Sequence, residues 1–260
     1  MYDRQKISVI IITLNEEKNI AKCLESISWA DEIILVDTGS TDETLQIAQK
    51  YHKIKIFNIE WMGFAGSKKY ALSQTSNDWI LWVDADEEIP FELKKEIMAL
   101  PLSETKMFAY QMPRKTYFMG EWVRYSDWYP GYVTRLFNKN YVDFNNMALH
   151  EHVECPQGKL GTLKADIIHY SYQNVFQYFD KLNKYGLDGA KALIQRKKRF
   201  NVFMMLASPT AAFIKYYFLK LGFLDGIKGL IIALGSSYSR FVKYVYLYYM
   251  LLRHTTKDIK

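Results

Sequence analysis

The stretch Trp79–Pro90, WILWVDADEEIP, runs from an apolar segment of strand type into four acids within five residues. Asp84 and Asp86 stand one residue apart, and in an extended chain such neighbours point the same way. Their carboxylates would then converge and repel unless something positive lies between them, and a divalent metal ion would relieve that repulsion. Arg135, in VTRLF, could meet an anionic group or pair with an acid. A second cluster, His150, Glu151, His152 and Glu154 in ALHEHVE, has residue types that bind zinc. In a strand, however, His150 and His152 face one way and Glu151 the other, so the set converges only through a turn. A surface strand of alternating polar residues fits that pattern better than a zinc site.

These side chains need elements to hold them. Residues 7 to 13, ISVIIIT, are a near-continuous β-branched run of the kind buried on both faces of a parallel sheet. The pattern predicts a helix through Asn19–Ser28, a strand at Glu32–Asp37, a helix capped by Ser40 or Thr41 and running to about Tyr51, a strand in KIKIFNI, a helix over Ala65–Ser76 and a strand in WILWVD. Strand and helix alternate, which predicts an α/β sheet with right-handed crossovers. Ligands of such sheets bind beyond the carboxyl ends of the strands. Thr13, Asn15 and Glu17 stand there, as do Asp37, Gly39 and Ser40, and Asp84 with Asp86. No GxGxxG or GxxxxGK[ST] occurs at these turns, so neither a dinucleotide fingerprint nor a P-loop is supported.

Beyond Pro90 the alternation weakens, with strands expected around Phe108–Met112 and Val133–Phe137 among segments rich in Trp and Tyr. Trp122, Trp128 and Tyr129 could present their rings to a ligand or belong to the core. From about Gln173 the pattern is helical. The expected division is a catalytic domain over 1–180, with halves 1–90 and 91–180, and a basic amphipathic helical region over 181–260.

A chain of 260 residues that is 49% hydrophobic can bury a substantial core, which excludes disorder for most of it. The net charge of +6 conceals a division: residues 1–180 hold 19 Lys+Arg against 25 Asp+Glu, and residues 181–260 hold 15 against 3. The basic residues of the tail are interleaved with apolar and Tyr/Phe-rich stretches, which suits an anionic membrane surface better than nucleic acid. Charged residues and Pro209 interrupt every apolar stretch between Val202 and Leu252, so helices lying in the interface plane, or packed on protein, are expected rather than a spanning helix. Cys23 and Cys155 lie far apart with no metal-ligand spacing and are read as buried free thiols of a reducing compartment. The apolar run near the N-terminus is too short for a signal peptide and meets acids at once. The expected location is cytoplasmic, peripheral on the cytoplasmic face of an inner membrane.

The segments SVIIITLNEEKNI, IILVDTGSTDET and GFAGSKKYALSQTSNDWILWVDADEEIP, in that order and spacing, resemble the inverting glycosyltransferases of family 2, whose fold is called GT-A. RLFNKN, ALHEHVE, IIHYSYQNVFQYFDKLNKYG and YYFLKLGFLDGIKG resemble the narrower branch that includes lipopolysaccharide core β-glucosyltransferases. The resemblance implies a nucleotide-sugar donor, UDP-glucose above all, a divalent cation (Mg2+ or Mn2+) and a lipid-linked saccharide acceptor. It assigns Asp86 to the metal, Asp84 to the ribose or metal, Asp37 to the nucleotide base and Glu151 to the acceptor's proton. It places Thr13, Asn15, Glu17, Gly39 and Ser40 around the same pocket, lets His169 complete the metal shell, and puts Arg135 and Lys68 near the donor. Lys69 stands where the family has Asn, which leaves open which lysine approaches the donor. Two other readings stay in view: transfer to a polyprenyl phosphate or another envelope polysaccharide, and a non-catalytic nucleotide-binding scaffold with a basic recruitment tail.

Overall fold

Alternate side chains of the Ile7–Thr13 run are buried on opposite sides of the sheet, as a strand at its centre requires. Ile7, Val9 and Ile11 join one core cluster, with Ile20, Cys23 and Leu24, while Ile10 joins another, with Ile34, Ile80 and Trp82. The computed structural model describes residues 4–144, 153–172 and 174–257. It contains β1 (Ile7–Thr13), α1 (Ile20–Ser26), β2 (Glu32–Asp37), α2 (Thr44–Ala48), β3 (Ile54–Asn58), α3 (Gly63–Ser73), β4 (Trp79–Trp82), β5 (Glu87–Glu88) and α4 (Phe91–Met98). There follow β6 (Ala109–Phe118), β7 (Glu121–Trp122), β8 (Gly131–Asn138), β9 (Asp143–Phe144), β10 (Val153–Glu154), β11 (Leu160–Thr162) and β12 (Ile167–Tyr172). The chain ends in α5 (Val175–Gln195), α6 (Val202–Phe213), a π-helical continuation (Ile214–Leu219), a short 3-10 turn (Gly222–Asp225) and α7 (Gly226–Lys257).

The main sheet has the order β3-β2-β1-β4-β8-β6-β12-β5, with β7 and β11 paired to β6. Its first four strands run parallel, and β8 is antiparallel to both β4 and β6. The alternating α/β half expected from the sequence is present, with boundaries moved by a few residues.

The chain divides into two compact units: one holds residues up to Lys115 with Gly131–Tyr170, the other Thr116–Pro130 with the chain from Ser171 onward. The division expected after residue 180 falls inside α5, because Phe118 and Tyr172 share a cluster with Tyr178 and Leu182. Trp128 packs against that same cluster, and Trp122 meets Tyr129 edge to face at 5.4 Å. In this unit α7 packs on both α5 and α6. A methyl group at Gly235 would lie 2.3 Å from the Tyr178 hydroxyl, so the approach of α5 to α7 there requires glycine.

Both cysteines are free, as expected, but only Cys23 is buried; Cys155 is half-buried.

At the amino end of the sheet a polar knot holds β1, β2 and the α3–β4 loop. Ser8 donates to Glu32 at 2.6 Å, and Ser76 donates to the same carboxylate from its backbone N–H and its hydroxyl at 2.8 and 2.9 Å. Lys55 pairs with it at 2.7 Å. Burial pushes the Glu32 carboxyl up, but the bonds from Lys55, Ser76 and Ser8 outweigh burial and hold it at about 2. A carboxyl lowered on folding stabilises the protein fully above its unfolded value near 4.5, and that contribution is lost as pH falls toward 2. Glu32→Ala should therefore cost about 2 kcal/mol at neutral pH, since it strands buried donors. Urea unfolding at pH 7 and at pH 3 checks this: the gap between variant and native protein should be smaller at pH 3.

Candidate active site

β4 stops at Trp82, and the chain then turns: the Glu87 N–H donates to the Asp84 carbonyl at 2.9 Å. The extended geometry expected of Asp84 and Asp86 is therefore corrected. The two carboxylates sit in a tight turn and engage different partners. Asp84 accepts from the Trp82 indole N–H at 2.8 Å and pairs with Arg135 at 2.5 Å. Asp86 lies 3.2 Å from His169 Nε2. The turn leads the chain from β4 to β5, whose Glu87 registers opposite His169 of β12, and the Tyr170 N–H donates to the Asp86 carbonyl at 2.9 Å. This crossing brings His169 to the acids from more than 80 residues away.

Arg135 comes from β8, next to β4, and is 3% exposed. Its Nη2 meets Asp84 and the fully buried Glu87 at 2.5 Å each, and Glu87 also accepts the Asp84 N–H at 3.0 Å. The guanidinium carbon lies 3.9 Å from the Trp82 ring centroid, and Lys68 Nζ of α3 lies 3.5 Å from the same centroid. Lys68 is buried and lowers the Asp84 pKa, whereas Lys69 is half-exposed, so Lys68 is the lysine turned toward the acids.

The titration pattern follows. Burial favours the neutral form of Asp84, but Arg135, then Lys68 and His169, together with the Trp82 hydrogen bond, hold its carboxyl at about 2. Glu87 is raised, first by burial and then by Asp84, with Arg135 opposing. Glu16 is raised to about 7 by burial and by repulsion from Asp86, Asp42 and Asp84, against a bond from Asn19. The site thus holds more carboxylate than Arg135 and Lys68 neutralise.

The loops after β1 and β2 form a second part of the site. Asp37 does not point outward; its carboxylate accepts from the Gly39 N–H at 3.0 Å, the Ser40 N–H at 2.9 Å and the Ser40 hydroxyl at 2.5 Å. Gly39 has a φ of +109°, which favours glycine. The Ser40 hydroxyl accepts from the Asn15 N–H at 2.9 Å, and Asn15 accepts from the Thr41 N–H at 2.8 Å. Neither Ser40 nor Thr41 caps α2, contrary to expectation, because both are spent on joining the two loops and the helix begins only at Thr44. Glu17 is exposed and accepts from the Glu43 N–H at 3.2 Å, while the Thr13 hydroxyl is buried with no partner among the described residues. Glu151, with His150 and His152, lies outside the described residues.

Sequence reasoning missed Glu87, Trp82 and Glu16 as site members. Glu87 carried a signal, as the third acid of the run that opens with Asp84 and Asp86; Glu16 carried none beyond its position at a strand end. A cavity of about 420 Å³ lined by Arg4, Ile97, Met98 and Leu102 opens near the amino end of β1 and contains none of these groups.

Among the described residues no group of three or more His, Cys, Asp and Glu converges as a closed metal site. Asp86 and His169 nonetheless offer a carboxylate and an imidazole, and His169 Nδ1 is buried without a partner among the described residues. Two protein donors suffice for a Mg2+ or Mn2+ ion that takes its remaining ligands from substrate phosphates and water.

Residues 8–167 match the family model described as glycosyl transferase family 2. A Rickettsia typhi protein named as an uncharacterized glycosyltransferase is 32% identical over 250 residues, covering 92% of this chain and 85% of that one. The lipopolysaccharide core biosynthesis glycosyltransferase LpsC of Rhizobium meliloti is 27% identical over 263 residues, covering 99% of this chain and 96% of that one. Among solved structures, residues 1–349 of S. aureus TarS, in complex with UDP-GlcNAc, superpose with a TM-score of 0.50 at 19% identity, covering 93% of this chain and 89% of that one. The mainly parallel sheet and its C-terminal helices are a GT-A-like fold, and the chain belongs to glycosyltransferase family 2.

Proposed function

We propose that this glycosyltransferase moves a hexose, glucose from UDP-glucose, onto a lipid-linked saccharide of the lipopolysaccharide core type, by a single displacement that inverts the anomeric centre. The observation that carries the reading is the Asp84–Arg135–Glu87 triad with Lys68 and Trp82 beside it, set where the β4 turn meets β12. Near-full-length similarity to LpsC supports the core saccharide as acceptor, and the UDP-GlcNAc bound by TarS supports a uridine nucleotide in the donor.

The donor side follows from charge. As the glycosidic bond breaks, negative charge accumulates on the departing diphosphate, and fixed positive groups in a low-dielectric site stabilise it without reorganising. Lys68 is such a group. Arg135 serves indirectly, because Asp84 and Glu87 already occupy its guanidinium, so its effect is to keep Asp84 ionised and oriented toward the donor. Asp86 and His169 would hold a divalent cation, which supplies charge neutralisation at the diphosphate. The joined loops of Asn15, Asp37 and Ser40 form a rigid rim for the nucleotide beside Thr13, whose buried hydroxyl has no partner among the described residues. On the acceptor side, Glu151 takes the proton from the attacking hydroxyl; a carboxylate within hydrogen-bond reach is ionised at neutral pH and basic enough for the task. A polyprenyl phosphate acceptor would use the same donor site, and product analysis separates the two.

Asp86→Ala should lower turnover by about three powers of ten, the loss expected when fixed charge stabilisation is removed from a dry site. It should also abolish the manganese-dependent rise in melting temperature on adding UDP-glucose; full activity of the variant in EDTA would overturn the metal assignment.

Glu151→Gln should bind UDP-glucose normally and lose transfer by a factor of about 10² to 10⁴. Titration of donor binding beside single-turnover transfer checks this, and lost binding with intact transfer per bound donor would make Glu151 a donor ligand instead of the base.

A further inference from the structure

In the helical unit the outward side of α6 and its π-helical continuation is apolar but for one threonine. Phe203, Leu206, Ile214 and Phe218 are 73, 58, 45 and 54% exposed, and Thr210 between them is exposed too. Their spacing of three or four residues puts them on one side of a helix, in a stripe about 22 Å long at 1.5 Å per residue. Soluble surfaces seldom leave so continuous an apolar row uncovered. The inner side is occupied: Pro209 and Ala212 are buried, α7 packs along the helix, and the Ser237 hydroxyl of α7 donates to the Pro209 carbonyl at 3.0 Å.

Charge decides what covers the stripe. Arg196, Lys197, Lys198 and Arg199 link α5 to α6, are all exposed, and form no ion pair among the described residues. At the other end Lys215 and Lys220 share Asp127, at 3.6 and 2.7 Å. We infer that the stripe seats α6 in the plane of an anionic bilayer, its apolar side among the acyl chains and the Arg196–Arg199 cluster against lipid phosphates. Val202–Leu219 is also long and apolar enough, by length and composition, to cross a membrane. Spanning would carry with it α7, which packs on α6 and has Lys228 and Arg240 within its length, charges a hydrocarbon core disfavours. The inference fits the lipid-linked acceptor proposed above but uses no donor chemistry.

The full chain is floated with vesicles of phosphatidylcholine alone or mixed with phosphatidylglycerol, in the absence of donor. Binding should require the anionic lipid, and should fall at least tenfold in Phe203→Ser/Phe218→Ser. Arg196→Glu/Arg199→Glu should weaken binding and flatten its salt dependence, since screening of exposed charge shortens from about 10 Å at 0.1 M to about 3 Å at 1 M. Unchanged melting temperature and donor binding in both variants show that they fold. A fluorophore on Thr210→Cys, in a Cys155→Ser background, should be quenched by headgroup-level more than by chain-end quenchers. Deep quenching at 210 would mean that the helix spans. Absence of vesicle binding, or binding indifferent to both pairs of substitutions, overturns the inference. So does a soluble dimer that Phe203→Ser/Phe218→Ser dissociates, because the stripe would then be a contact between copies. None of these failures touches sugar transfer, which is measured separately with Asp86→Ala.

Discussion

A buried guanidinium has to be paired, and at Arg135 that requirement organises the site. Taking a charge out of water costs several kcal/mol, repaid only when its partners are close and well aligned. Arg135 finds them in Asp84 and Glu87, which belong to one tight turn, and both contacts use the same nitrogen at 2.5 Å. The turn is therefore held from two sides: by its own Glu87-to-Asp84 backbone bond, and by a cation from the neighbouring strand β8. With the turn fixed, Asp86 meets β12, where His169 stands 3.2 Å away.

The parts of this arrangement visible in the sequence were those decided by local chemistry. The β-branched run of β1 and the apolar run at Trp79 could not be anything but buried strands, and the acids after them could not be buried without partners. What stayed hidden depended on contacts remote in sequence. Nothing near Asp84 and Asp86 says that the chain turns between them, since the bond that closes the turn is between backbone groups. Ser40 reads as a helix cap because serine before a helix usually is one; here the adjacent loop of Asn15 competes for the same hydroxyl and wins, and the helix starts later. The helical unit was legible as basic and apolar, but its limits were not, because Phe118 and Trp128, far upstream, complete the core around Tyr178.

The tail shows the same distinction. Read linearly, Pro209, Lys215 and Lys220 break its apolar stretches and argue against a spanning helix. Folded, these residues leave the outward row intact: Pro209 faces α7, and the two lysines pair with Asp127, an acid from the segment before β8. Interruption along a sequence is therefore not interruption of a surface, since a helix presents only every third or fourth residue on one side.

Charge is sorted along the chain for a physical reason. The acid-rich first part holds a carboxylate cluster in which burial first, and then repulsion from Asp86, Asp42 and Asp84, raise Glu16 to about 7, and on the function proposed above it must still accept a diphosphate of the same sign. Relief has to come from groups inside the site, which is why Lys68 and Arg135 are buried against Trp82 while the cluster at Arg196–Arg199 stays in solvent. Buried cations are kept where their partners are fixed and charge must be stabilised without rearrangement. Exposed ones suit a partner that is diffuse, renewable and negatively charged, for which no single geometry needs to be held.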